Sequence, residues 1–169
     1  MKSVLISIRP QWCEKIISGR KTVEVRKNKP TLETPFKCYI YCTYGQGLIE
    51  YNDPDYPNML LGQKVSKDAI WGNCSNGKVI GEFVCDSIGE YTNYSLDEQR
   101  GHFKRREGLL RSACMTLKDW RDYIGWYESD LGFGWHISEL NIYDTPKELS
   151  EFGLTRAPQS WCYVNGGDG

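Results

Sequence analysis

The stretch GRKTVEVRK, residues 19–27, places Lys21, Glu24, Arg26 and Lys27 within nine positions of a chain whose net charge is only −1. A lysine just behind a glycine turn serves as a point-charge phosphate binder or, once desolvated, as a proton acceptor. Glu24 has the chemistry to accept from an exocyclic amine, as carboxylates do with cytosine N4. A further acid, Glu82, lies inside the apolar run GKVIGEFVC. A carboxylate on such a strand is rarely buried unless paired, so Lys21 or Arg26 is its expected partner. The four groups would then line one polar hollow, with Arg9 and Lys27 at its rim. Two readings of this constellation stay open: a structural ion pair closing the fold, and the floor of a base-sized pocket. If the chain is an enzyme, Lys21 and Glu82 are the candidate acid–base pair.

Other chemistry is poorly represented. The seven cysteines form no C-x-x-C pair, and only two histidines exist, His102 and His136. Zinc sites bring paired ligands at short spacing, so no metal site and no cofactor is expected. An odd cysteine count suits reduced, buried thiols. No serine–histidine or cysteine–histidine arrangement offers a nucleophile of the usual type. Trp71 and Trp135 lie where loops are expected to meet strands, and either could stack a base. The more ordinary role for each is core packing.

These side chains need elements to carry them. SVLISI (3–8) reads as a strand. Pro10 opens a helix at the position where its missing N–H costs nothing, with Trp12, Cys13, Ile16 and Ile17 on one face and Gly19 as the stop. TVEVRK alternates, with Val23 and Val25 inward and Thr22, Glu24 and Arg26 on the other face, which predicts a half-buried strand. FKCYIYCT (36–43) is a further strand. Residues 44–66 form a long Gly/Pro/Asn/Asp-rich loop. GKVIGEFVCDSIGEY (77–91) reads as one continuous strand. Capping boxes at Ser95–Glu98 and Thr116–Asp119 predict a helical insertion over about 95–131, broken near Ser112–Met115. GWHISELNIYD (134–144), a short helix over 145–153, and PQSWCYV (158–164) complete the order.

The 169 residues suit a single domain spanning 1–169. No apolar run reaches the roughly 20 residues of a membrane span, and no leader is apparent, so the expectation is a cytoplasmic protein without membrane contact. Charge is uneven. Residues 2–37 hold nine Lys/Arg against three acids, residues 100–111 hold five against one, and residues 128–151 hold one against six. Two basic stretches could meet as a phosphate-tracking groove, or stand apart as solvated faces.

Three segments together resemble the ASCH domain, a branch of the PUA-like superfamily. ISIRPQWCEKIISGRKTVEVRK resembles its strand, Pro-led helix, Gly-x-Lys-Thr element and following strand. GKVIGEFVCDSI resembles its central strand, with the acid at Glu82. PKELSEFGLTRAPQSWCYV resembles the ending of bacterial and phage members. The resemblance implies an α+β fold, a PUA-like mixed β-barrel of five to six strands with flanking helices, and binding of RNA or a nucleotide beside the GxKT strand. One branch is an amidohydrolase on acylated cytidine using a lysine, a threonine and a glutamate. The lysine falls on Lys21 and the glutamate on Glu82. The threonine position holds Glu24, and Thr22 does not match it. Nucleic-acid binding is therefore the first expectation. The alternative is a hydrolase of a modified nucleoside or RNA with the Lys21/Glu82 pair. An interaction module acting through the helical insertion is a third, with its protein partner unknown.

Overall fold

A computed structural model describes residues 2–45, 75–93 and 103–165, with the side chains of 103–106 left aside. Trp71, His102, Cys74, the Ser95–Glu98 capping box and nearly all of the loop 44–66 lie outside the described residues. In chain order the elements are β1 (Lys2–Ile8), α1 (Pro10–Ile17), β2 (Val23–Arg26), β3 (Phe36–Cys42), β4 (Lys78–Cys85), β5 (Ile88–Thr92), α2 (Phe103–Ala113), α3 (Leu117–Ile124), β6 (Leu131–His136), β7 (Ser138–Lys147) and β8 (Trp161–Asn165). A 3-10 turn, Leu149–Phe152, precedes the last strand.

The architecture is α+β, with the strands in two sheets ordered β7-β4-β3-β1-β8 and β2-β6-β5. No closed barrel is formed among the described residues. Among the described residues eight strands replace the expected six, because two long apolar runs divide. The run 77–91 breaks at Asp86–Ser87 into β4 and β5, and 134–144 breaks at Ile137 into β6 and β7. In each case the two halves belong to different sheets. Period-2 alternation does not register such a switch, because both halves keep the same pattern.

The chain divides into two compact units. The first comprises Met1–Ile17, Lys37–Phe83 and Glu139–Gly169. Its sheet pairs β1 parallel with β3 and antiparallel with β8. The run Ser3–Ile8 is buried throughout. That is how a central strand covered on both faces reads in sequence. Leu5, Tyr39, Tyr41, Val79 and Val164 form a core closed by Phe152, Leu154 and Ala157. Helix α1 buries Pro10, Cys13 and Ile16, while Trp12 is half-buried under the Lys15 ammonium and Ile17 is exposed. The apolar face is thus narrower than the sequence suggested.

The second unit comprises Ser18–Phe36 and Val84–Ser138. Its antiparallel sheet sets Glu24 opposite Trp135 and Val25 opposite Gly134. Val25, Leu109, Ala113 and Trp120 form its core. Gly132 permits that packing, since a Cβ there would come within 2.6 Å of the Trp120 ring. Helix α3 starts with the predicted capping box, in which Thr116 and Asp119 satisfy each other's backbone N–H. The six described cysteines form no disulfide among themselves. Burial, and then the charge of Asp86, push the Cys85 thiol up to about 12, so its thiolate is scarce at neutral pH.

Candidate functional site

Strand β2 was expected to be half-buried, and it is not. Glu24, Val25 and Arg26 are all buried, so the polar face of the strand is covered as well as the apolar one. The charged groups tolerate this by binding each other. Arg26 Nη2 lies 2.9 Å from Glu24 Oε1, and Lys21 Nζ lies 3.3 Å from Glu24 Oε2. Side-chain exposure across the network is 2–7%. Lys21 Nζ also donates to the Ala113 carbonyl at 2.9 Å. That oxygen belongs to the last turn of α2, whose final carbonyls lack intrahelical donors and favour a cation. The backbone makes a second tie at the same place, from Thr22 N to Ser112 O. The helical insertion is therefore fastened to the start of β2 by Lys21.

Two cations thus face the one Glu24 carboxylate inside the unit. Glu24 Oε2 receives no hydrogen bond, although it faces the Lys21 ammonium as an ion pair. A buried carboxylate oxygen without a hydrogen bond is costly, and it retains acceptor capacity.

The remaining expected site residues are placed as follows. Glu82 belongs to the first unit, and neither Lys21 nor Arg26 is its partner. Lys37 Nζ on β3 donates to Oε1 at 2.9 Å, and the Tyr143 hydroxyl on β7 donates to Oε2 at 2.7 Å. The cause is sheet order: β4 runs between β3 and β7, so cross-strand neighbours reach Glu82 from both sides. Partial burial raises its carboxyl pKa. The Tyr143 and Lys37 hydrogen bonds outweigh that effect and hold it below the ordinary value. Burial and the Glu82 hydrogen bond push the Tyr143 phenol up. Arg9 and Lys27 are exposed. Trp135 sits inside β6 rather than on a loop, fully buried, with Phe36 edge-on at 5.9 Å. Of the basic run 100–111, Arg111 is exposed and pairs loosely with Glu107 at 3.9 Å.

Some features had no sequence signal. His136 Nδ1 lies 2.7 Å from Asp86 Oδ1, two residues fifty positions apart. The His136 hydrogen bond holds the Asp86 carboxyl below its usual range. Trp126 and Tyr127 are the most exposed large hydrophobic side chains among the described residues. They follow a helix end marked by Gly125, and that position could have drawn attention to them.

An α+β chain with a Pro-led first helix, a GxKT turn feeding a short strand, and two sheets defines a fold class that solved structures share. No family model and no curated protein matches the sequence. Among solved structures, the ASCH protein of Zymomonas mobilis superposes with a TM-score of 0.63 at 20% identity, covering 96% of this chain and 87% of that one. Two variants of the same protein do likewise. The serine-to-alanine form gives 0.60 at 17% identity over 96% and 88%. The tyrosine-to-phenylalanine form gives 0.60 at 19% over 98% and 91%. The chain has the ASCH fold.

Proposed function

We propose that the chain binds nucleic acid, RNA or a nucleotide bearing a modified base, with Lys21, Glu24 and Arg26 as its recognition element. The observation that carries this is the buried Glu24 carboxylate, held between two cations and with Oε2 still lacking a hydrogen-bond donor. An exocyclic base amine is the donor such an oxygen suits. Cations beside it are groups of the kind that bind a phosphate. β2 is an edge strand of its sheet, where side chains can shift without breaking an inner ladder. The ASCH fold, with the nucleotide role that the sequence resemblance implies, supports the same reading.

The test is fluorescence anisotropy with short labelled RNA at low salt, alongside calorimetry with free cytidine nucleotides. Glu24→Gln is expected to weaken binding about tenfold or more, the scale of a charged hydrogen bond. Circular dichroism of the variant separates lost binding from lost folding. Unchanged affinity in a folded Glu24→Gln protein, or no binding by the wild type at tens of micromolar, removes the proposal.

A hydrolytic reading draws on one distance. Lys21 and Glu24 stand 3.3 Å apart, within the reach that acid–base chemistry needs. In that reading Glu24, and not Glu82, partners Lys21. Release of acid from acylated cytidine, abolished in Glu24→Gln and retained in Glu82→Gln, would establish it.

A further inference from the structure

The second unit exposes four large apolar side chains within nine residues: Tyr123 at 38%, Trp126 at 62%, Tyr127 at 78% and Leu131 at 42%. Three are aromatic. The segment that carries them is firmly bonded. Gly125 N donates to Arg121 O at 2.9 Å, closing α3. The buried Asn93 amide donates to Gly125 O at 2.9 Å and to Tyr127 O at 2.6 Å. Tyr127 N donates to Asp130 Oδ2 at 2.8 Å. A Cβ at Gly125, where φ is +147°, would collide with that same carboxylate. Trp126 and Tyr127 are thus held outward by a built turn.

Two cations lie against these rings. The Arg121 guanidinium lies 5.6 Å from the centre of the Trp126 ring, and Lys27 Nζ lies 5.5 Å from that of Tyr123. Three acids nearby are already engaged: Asp119 in the helix cap, Asp122 with Lys118, and Asp130 with the Tyr127 backbone. Arg121 and Lys27 contact rings, and neither pairs with a carboxylate among the described residues.

We propose that this surface is a stacking platform for single-stranded nucleic acid, with unpaired bases on Trp126 and Tyr127 and phosphates beside Arg121 and Lys27. The inference rests on the nucleic-acid reading above and adds the class of ligand: a single strand of several nucleotides. Base–aromatic stacking tolerates any sequence, and arginine adds a cation–π contribution. A protein-docking centre is instead depleted of charge. Here cations lie over two of the rings and only Leu131 is aliphatic.

The experiment titrates the full chain into a labelled ten-nucleotide RNA, single-stranded or annealed to its complement, following anisotropy. The single strand is expected to bind more tightly than the duplex. Trp126→Ala and Tyr127→Ala should each weaken it about tenfold, while Trp126→Phe keeps most of the affinity. Arg121→Ala should lower the salt dependence by about one phosphate contact. If the Trp126→Ala/Tyr127→Ala double variant binds like wild type while Glu24→Gln does not, the platform is wrong and the nucleic-acid reading stands. Equal affinity for duplex and single strand also overturns the platform. If the wild type binds neither form, both fall. A concentration-dependent dimer in sedimentation, dissolved by Trp126→Ala, would reassign the surface to self-association.

Discussion

The two units of this chain handle charge in opposite ways. In the first, the ionic groups stay near solvent: Glu82 meets Lys37, and Lys78 meets Glu148, all partly exposed, over a core of Leu5, Tyr39, Tyr41, Val79 and Val164. In the second, three charged side chains are buried on and just before a four-residue strand, while Trp126 and Tyr127 stand in water. The first arrangement is what folding favours unaided. The second inverts it at both ends, and each inversion costs stability.

The comparison breaks first at Glu24. Glu24→Ala removes the carboxylate that Lys21 and Arg26 both face, and a loss of about 3–5 kcal/mol in urea unfolding is expected. Replacing all three groups together, Lys21→Met with Glu24→Leu and Arg26→Met, should recover most of that loss while abolishing ligand binding. Recovery of stability with binding intact would make the network purely structural. Next comes the helix cap: Thr116→Ala should cost about 1 kcal/mol, read in the same melts.

Smaller still is Glu82→Gln in the first unit. A partly exposed pair contributes about 1 kcal/mol or less. Its pH signature is more telling. The Glu82 carboxyl is held below its ordinary value of 4.5, so its stabilisation is complete above that pH and is lost as pH falls through the lower folded-state value. The stability gap between wild type and Glu82→Gln should therefore close under acid, as melts from pH 7 down to pH 3 would show. Smallest is Trp126→Ala. Stability should change by no more than about 0.5 kcal/mol, because little of the ring is buried. A large loss there would mean that the ring supports the fold.

Much of this architecture was legible in the residues. Pro10 and Gly19 bracket α1 as expected, and Thr116 with Asp119 opens α3. Clustering of Lys21, Glu24 and Arg26 followed from their proximity in sequence. What alternation conceals is where a strand changes sheets, and hence the breaks at Asp86–Ser87 and Ile137. Glu82 was misassigned a partner for the same reason. Its neighbours are fixed by strand order, and Tyr143 is 61 residues away. The burial of Glu24 and Arg26 on β2 was illegible because charges forecast solvent unless their mutual pairing is known. Trp126 and Tyr127 passed unnoticed because an exposed aromatic and a core aromatic are the same letter.

Lys21 has a consequence for anyone trimming this chain. Its ammonium closes the last turn of α2 at Ala113 O, so excising the helical segment would take a buried hydrogen-bond acceptor from it. A shortened version would have to supply a replacement oxygen or swap the lysine for an uncharged side chain. The insertion is joined to the GxKT turn by its own carbonyl, and a change in either is felt by the other.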